Sequence, residues 1–594
     1  MSKTKKIWIG IAAAVFILLI VGIVAIALIF GTLDRTTVAQ NSVLVLDISG
    51  EMPDYAPDDP LAESLGMSSN KSFTGLMTQI RKAKADSRIG AVLLDIDFPG
   101  IGWGKATELR DAIKDLRAAG KPVYAYMELG TNREYYIATA AEKIFVPPTG
   151  DIYVNGLAAE AMFYKGSLDK LGVEADVIQI GPKYKNAPDQ YTKTQMGEGQ
   201  AEVMNAILDE YYNTLVGAIA ESRGKTADEV KTMIDSAPHN AVQAKELGLI
   251  DDAIYRDQVD ELLKQKLGYA AETKLRTVTR AAYKDVTPSS LGLENGERIA
   301  VIYASGVINV GSSVSSPISG DLVGSDTVVK AVNDAANDRS VKAIVLRVDS
   351  PGGSALASDL MWHALENAKA KKPVVVSMSD VAASGGYYIA CNANKIIAEP
   401  TTITGSIGMF MGKPVVRGMY DWLGVSNEYV MRGKNAGIFR ETEKWTPEER
   451  TKMEEMANNV YFSNFVPKVA QGRGKTNEEV DTLGQGRVWT GTQAKANGLV
   501  DDFGGLEKAI QTAKELASLP ADKDVKRVVF PAPVTLIERL FGGGGSQARE
   551  AQAAKALAEA LPPDARKLLR YSQIFEQMKR GDAMLLMPYE LTIK

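Results

Sequence analysis

Ala343-Ile-Val-Leu-Arg-Val-Asp-Ser-Pro-Gly352 reads as a buried strand running into a Pro-Gly turn, and the chain carries the same phrase 252 residues earlier as Ala91-Val-Leu-Leu-Asp-Ile-Asp-Phe-Pro-Gly100. A short, nearly continuous apolar run of this kind marks a strand covered on both faces. The echo extends outward in the same order. Lys121-Pro-Val returns at Lys372, Tyr135-Tyr-Ile-Ala at Tyr387, and Arg223-Gly-Lys-Thr at Arg473. Gln243-Ala-Lys-Glu-Leu-Gly-Leu-Ile-Asp-Asp252 is likewise matched by Gln493 to Asp502. Collinear matches at offsets of 250 to 252 residues mean a duplicated unit, and positions where the copies differ show what only one of them needs.

Each copy opens on a β-branched run, Val43 to Ile48 and Ile299 to Tyr303, and helical stretches such as Ala355 to Ala370 alternate with strands such as Pro373 to Met378. That alternation predicts two tandem α/β domains, at 40–270 and 297–520. Between them 271–296 reads as a linker, because Thr277 to Glu297 mixes Thr, Ser, Pro, Gly and charge. The remainder, 521–594, reads as a C-terminal extension in which Gly542 to Gly545 precedes an Ala-, Leu-, Lys- and Glu-rich stretch, Gln547 to Gln577, expected to be helical.

The first 39 residues are of another kind. Ile7 to Phe30 contains no charge, and a helix of that length spans ~36 Å, enough for the ~30 Å hydrocarbon core. Lys3, Lys5 and Lys6 precede it without a matching cluster behind, so a single-pass anchor with a cytoplasmic N-terminus is expected and the two domains face outward. A cleaved signal peptide is the rival, since Ala25 and Ala27 make an A-x-A-like site, although the apolar run continues past it. Across the 594 residues, 45% hydrophobic and 24% charged side chains exclude a disordered or polytopic chain, and a net charge of −5 argues against nucleic acid. One cysteine, Cys391, and two histidines, His239 and His363, leave no basis for a disulfide or a multi-histidine zinc site.

Chemistry is best sought where the copies diverge. In the second, Val381-Ala-Ala-Ser384-Gly-Gly-Tyr-Tyr-Ile-Ala390 leaves a strand and opens a helix, so Ser384 sits where a helix N-terminus favours developing negative charge. The first copy keeps the Tyr pair but has Asn132 at that position. A nucleophile and an N-cap serine both suit Ser384, and the residues alone leave the two open. Asp349-Ser-Pro-Gly352-Gly353 could present backbone N–H groups toward it, whereas the first copy has Phe98-Pro-Gly100-Ile101 and one glycine fewer.

A serine needs a base. His239 aligns with Trp489 and His363 with Asp111, so neither belongs to a shared site. A lysine serves if burial lowers its pKa, and Lys185 and Lys434 both begin a Lys-Asn-Ala triplet at matching places in the two copies. Two other motifs are incidental. Ser68-Ser-Asn-Lys71 and Ser167-Leu-Asp-Lys170 satisfy the S-x-x-K of penicillin-binding proteins, but S-D-N and K-T-G are missing. Gly224-Lys-Thr226 and Gly474-Lys-Thr476 have Ile219 and Val469 where a P-loop needs its first glycine.

From the anchor through both copies the chain resembles the long form of signal peptide peptidase A, a family of membrane-bound Ser-Lys proteases with the ClpP/crotonase-like fold. The resemblance is most specific where Ser384-Gly-Gly-Tyr-Tyr joins Asp349-Ser-Pro-Gly-Gly and Thr404-Gly-Ser406-Ile-Gly408. It implies that Ser384 is the nucleophile, that Lys185 from the other half is the general base, and that Ser406 helps orient the lysine. Lys434 would then face a site whose serine position is Asn132. The implied mechanism passes through an acyl-enzyme, with the oxyanion held by the amides of Gly385 and of Gly352 or Gly353, and needs no cofactor or metal. Cleaved signal peptides and other apolar peptides are the implied substrates. A homotetramer in the bacterial inner membrane, with its catalytic domains facing the periplasm or exterior, is the implied setting. The alternatives are a non-catalytic membrane scaffold and a crotonase-like acyl-transfer enzyme, the latter with poor access to CoA on the outer side.

Overall fold

The computed structural model describes residues 38–57, 71–316, 320–532, 583–587 and 592–593. The anchor expected over 7–30 and the helical tail expected over 547–577 lie outside the described residues. Among the described residues no helix is long and apolar enough to cross a membrane.

Both repeats are α/β units built on a mainly parallel sheet. In the first, the strand order is Asp252–Ala253, Lys143–Val146, Val123–Tyr126, Ile89–Gly100, Ser42–Glu51 and Thr277–Thr279, all parallel. In the second, Val374–Ala383, Val341–Ser350, Arg298–Ser305 and Lys526–Phe530 lie side by side in the same sense. The duplicated phrase supplies the central strands Ile89–Gly100 and Val341–Ser350, and Val92, Leu94, Ile344 and Leu346 are fully buried. The helices have the matching periodicity. In Ser325–Asn337 the buried residues Val328, Ala331, Val332 and Ala335 recur at the three- and four-residue spacing of a single face.

Two boundaries differ from those read in the sequence. Within the expected linker, Thr277–Thr279 pairs with Ser42–Glu51 as the edge strand of the first sheet, and Tyr283 is fully buried behind it. Lys526–Phe530, within the expected extension, takes the equivalent edge of the second sheet. A parallel edge strand needs only a few residues, and its polar neighbours hide it from a composition-based reading. The repeated Arg-Gly-Lys-Thr also has a local explanation. Gly224 and Gly474 end a helix in the left-handed conformation, each at φ 62°, and Thr226 and Thr476 open the next with a capping box to Glu229 and Glu479.

The repeats are joined by more than sequence. Glu174–Gln179 of the first pairs antiparallel with Phe410–Val415 of the second, register Gln179 to Phe410 through Glu174 to Val415. A buried charge cluster forms a second seam. Arg347, 1% exposed, pairs with Asp54 (2.9 Å) and Glu108 (2.8 Å) of the first repeat and donates to Ser377 and Ser379 of its own. Lys105 Nζ lies 2.7 Å from Asp349. Asp380 accepts the amides of Gly102 (2.9 Å) and Lys105 (2.8 Å), which caps the helix Trp103–Ala118 from the other repeat where Gly102 has no side chain to do so. Asp349 and Asp380 lie on the two strands that lead into the glycine turn and Ser384, so the docking of the repeats and the position of the site are coupled.

Candidate active site

Ser384 ends the strand Val374–Ala383 and opens the helix Gly385–Ala390 with φ 54° and ψ −110°, a strained conformation for a residue with a side chain. Its amide donates to the Gly405 carbonyl (2.8 Å), fixing the turn, and its hydroxyl points inward, 3.5 Å from the Gly408 carbonyl. The first repeat gives the counterpart: Asn132 Nδ2 donates to the carbonyl of Gly156, 252 residues before Gly408. Asn132 thus occupies the serine's place and spends its amide on the backbone.

Lys185 arrives from the first repeat on the turn after Glu174–Gln179, the strand that crosses into the other repeat's sheet. Its amide donates to the Gly181 carbonyl (2.8 Å). Its side chain is fully buried, with Nζ 3.1 Å from Ser384 Oγ, 3.3 Å from Ser406 Oγ and 2.7 Å from the Leu586 carbonyl oxygen. Burial, with no carboxylate beside it among the described residues, pushes the amine down to about 7. Ser406 is itself at φ 50°, its amide donating to the Arg487 carbonyl (2.7 Å), so the hydroxyl beside the lysine is held by a strained backbone as well.

The structure therefore brings Ser384, Lys185 and Ser406 together, and it leaves the other candidates apart. Lys434 is exposed. His239 Nε2 pairs with the Met233 carbonyl (2.9 Å), and His363 with Asn367 (3.1 Å). Cys391 is buried, and its sulfur donates to the Tyr388 carbonyl.

Gly352 and Gly353 form the facing turn at φ 101° and φ 154°. A Cβ on Gly352 would stand 2.7 Å from the Gly385 nitrogen, and one on Gly385 would stand 3.2 Å from the Gly353 nitrogen. The two turns thus press together, as only glycine allows. The Gly352 amide donates to Ser350 Oγ (3.1 Å).

Three features were not singled out in the sequence. Gly486, at φ 82°, crosses the lysine so closely that a Cβ would lie 2.6 Å from Lys185 Cα and Cβ; the Gly484-Gln-Gly486 turn was the available signal. Tyr184, next to the lysine, is braced by Glu202 (3.0 Å) and Arg487 (3.0 Å), a contact between distant segments that carries no motif. Met584–Leu586, from the expected extension, pairs antiparallel with Gly352–Ser354 and covers the dyad.

The family model described as Peptidase family S49 matches residues 115–269 and 366–520, and one described as a ClpP-like SDH-type serine proteinase matches 314–417. The chain is 36% identical over 513 residues to the chloroplastic serine protease SPPA of Arabidopsis thaliana, covering 86% of this chain and 74% of that one. It is 33% identical over 524 residues to Protease 4 of Salmonella typhi, covering 85% and 83%. Protease 4 of Haemophilus influenzae is 30% identical over 529 residues, covering 86% and 84%. A duplicated S49 unit, collinear relatives along most of the chain, and a serine at a strained strand-to-helix turn lead to one conclusion: the chain belongs to peptidase family S49 and is a serine protease.

Proposed function

We propose that the protein is a membrane-bound endopeptidase working through a Ser384–Lys185 dyad and an acyl-enzyme. The observation that carries this reading is the Lys185 amine, buried without a counter-ion among the described residues and 3.1 Å from Ser384 Oγ. Neutral Lys185 takes the hydroxyl proton as Oγ attacks the scissile carbonyl. The oxyanion meets the amides of Gly385 and of the Gly352–Gly353 turn, and Ser406 keeps Nζ aimed at the hydroxyl. Lys185 then gives its proton to the leaving amine and activates water for deacylation. Lys434 has no part in this.

Cleaved signal peptides and other apolar peptides are the proposed substrates. The apolar Ala187, Val307 and Phe410 beside the dyad support that choice, and the anchor proposed over 7–30 would hold the site near membrane-released remnants. With Lys3, Lys5 and Lys6 inside, the domains face the periplasm or cell exterior of a bacterial inner membrane.

A homotetramer is part of the same proposal. Residues 426–431, the second repeat's counterpart of Glu174–Gln179, are largely exposed, with Val430 89% accessible. A second copy offering its counterpart of Phe410–Val415 would continue head to tail the pairing seen within the chain, and Lys434 would approach that copy's Asn132.

The test is labelling by a fluorophosphonate together with hydrolysis of an apolar peptide. Wild type is expected to do both. Ser384→Ala should do neither, and Lys185→Ala should lose hydrolysis. Labelling that persists in Ser384→Ala overturns the assignment.

A further inference from the structure

Arg487 stands where the three segments of the site meet. Its carbonyl accepts the Ser406 amide (2.7 Å). The three residues after it, Val488–Thr490, pair antiparallel with Ile403–Gly405, and the Trp489 ring lies so near Gly405 that a Cβ there would stand 2.6 Å from Trp489 Cδ1. The Gly405 carbonyl is the one that holds the Ser384 amide. Just before Arg487, Gly486 lies against Lys185 and donates its amide to the Ile407 carbonyl (2.7 Å). The backbone of 486–490 therefore runs between the lysine's turn and the two serines' turns.

The Arg487 side chain closes this arrangement. Its guanidinium donates to Tyr184 Oη (3.0 Å) and pairs with Glu202 Oε1 (2.8 Å), while the Tyr184 hydroxyl donates to Glu202 Oε2 (3.0 Å). The guanidinium carbon lies 4.2 Å from the centre of the Trp489 ring. A planar fork held at once by a hydroxyl, a carboxylate and an aromatic face has little freedom to turn. Tyr184, and with it the backbone of the adjoining Lys185, is thereby tied to the segment that carries Ser406.

The duplication supplies a control. Lys185 and Lys434 open matching triplets, but Gly433 stands where Lys185 is preceded by Tyr184. His239 pairs with Ile152 in the first repeat as Trp489 pairs with Thr404 in the second, so Ala237 stands at the counterpart of Arg487. Neither half of the brace accompanies the exposed lysine or the turn that carries Asn132.

We propose that Arg487 is a positioning residue for the Ser384–Lys185 reaction: through Tyr184 on one side and the Ser406 turn on the other, it fixes the lysine of the first repeat against the serine of the second. The inference rests on the dyad reading above and extends it to a residue that touches none of the reacting atoms. Misplacing a reacting group by 1 Å costs on the order of 10^2-fold in rate, so Arg487→Ala is expected to lower kcat about 30- to 100-fold.

The test is hydrolysis of an apolar fluorogenic peptide, together with the rate of labelling by a fluorophosphonate, on the full chain in detergent at a temperature where every variant is folded. In Arg487→Ala the loss should fall on kcat, with KM within about twofold of wild type, because the brace holds the dyad and not the peptide. Labelling depends on the dyad and should slow by about the same factor as kcat. Glu202 keeps Lys183 (3.3 Å) when the arginine is removed, so the variant is expected to fold. Tyr184→Phe keeps the ring and removes one hydroxyl; it should lower kcat about five- to tenfold and add less than about twofold to Arg487→Ala, since both act through one contact. A kcat for Arg487→Ala within about threefold of wild type, a loss carried by KM, an unchanged labelling rate, or a double variant in which the two losses multiply would each overturn the inference. If Arg487→Ala does not fold, Tyr184→Phe decides alone, and a kcat within about twofold of wild type overturns it. Failure of the dyad reading looks different: wild type itself neither hydrolyses the peptide nor takes the probe.

Discussion

If Lys185 is the base, the acid limb of activity is set by its burial. An ordinary lysine at 10.5 is neutral in only about 0.03% of molecules at pH 7, whereas one pushed down to about 7 is half neutral there. Lowering the amine by that much amounts to about 5 kcal/mol, at about 1.4 kcal/mol per pH unit, and raises the concentration of competent base at neutral pH roughly a thousandfold. The expected profile of kcat/KM against pH rises tenfold per unit below pH 7, is down about fiftyfold at pH 5 relative to pH 7, and levels off near pH 8. The assay is hydrolysis of an apolar fluorogenic peptide without ionisable groups, run on the full chain in detergent from pH 5 to 9. A second group complicates the same range. Burial pushes the Asp349 carboxyl upward, against the pull of Lys105 and with the help of Asp54 and Asp380, and it stands just before the glycine turn. Asp349→Asn should therefore keep the limb even if it lowers the plateau. A midpoint above pH 9, or a limb that disappears with Asp349→Asn, would refute the lysine as the titrating base.

Ser384→Ala is expected to lower kcat by about 10^4-fold or more with an unchanged thermal midpoint; a residual rate within tenfold of wild type would contradict it. Lys434→Ala, at an exposed side chain, should keep kcat/KM within about twofold, and a loss like that of Lys185→Ala would move the base into the second repeat. Lys185→Met should be inactive yet melt higher than wild type at pH 7. A buried amine with a lowered pKa costs stability below about 7 and ceases to as pH rises toward 10.5, so the gap should narrow by pH 10; a gap that widens with pH would reverse the sign. Gly352→Ala, whose Cβ would strike the Leu585 carbonyl and press on the Gly385 nitrogen, should cost about 10^2-fold or more in kcat through the displaced turns. Arg347→Met leaves Glu108 buried without its cation and Asp54 with Lys105 at 3.6 Å, and should lower stability by about 3–5 kcal/mol, read as a fall in thermal midpoint; no fall would mean that the cluster is not what joins the repeats.

The duplicated architecture was legible because buried parallel strands must be apolar along their length, and a fused repeat prints that constraint twice. The place of Ser384 was legible for a related reason: the two copies share a strand-to-helix turn but differ in the residue it carries, and Asn132 sits in the equivalent turn with its side chain on the Gly156 carbonyl. What the residues could not decide was which lysine meets the serine. Lys185 and Lys434 share a triplet, and the choice depends on Glu174–Gln179 crossing into the second sheet, which carries Lys185 into a dry pocket while Lys434 stays in water. The amine's altered basicity belongs to that pocket, since a lysine's pKa is a property of its surroundings. The short edge strands Thr277–Thr279 and Lys526–Phe530 were missed because one apolar residue, or three in a row, carry no periodicity. The strand over the dyad was hidden more deeply. Met584-Leu-Leu586 is an unremarkable apolar triplet far along the chain from both Lys185 and Ser384, and only tertiary packing, which pairs segments without regard to their separation in sequence, puts its backbone against the amine.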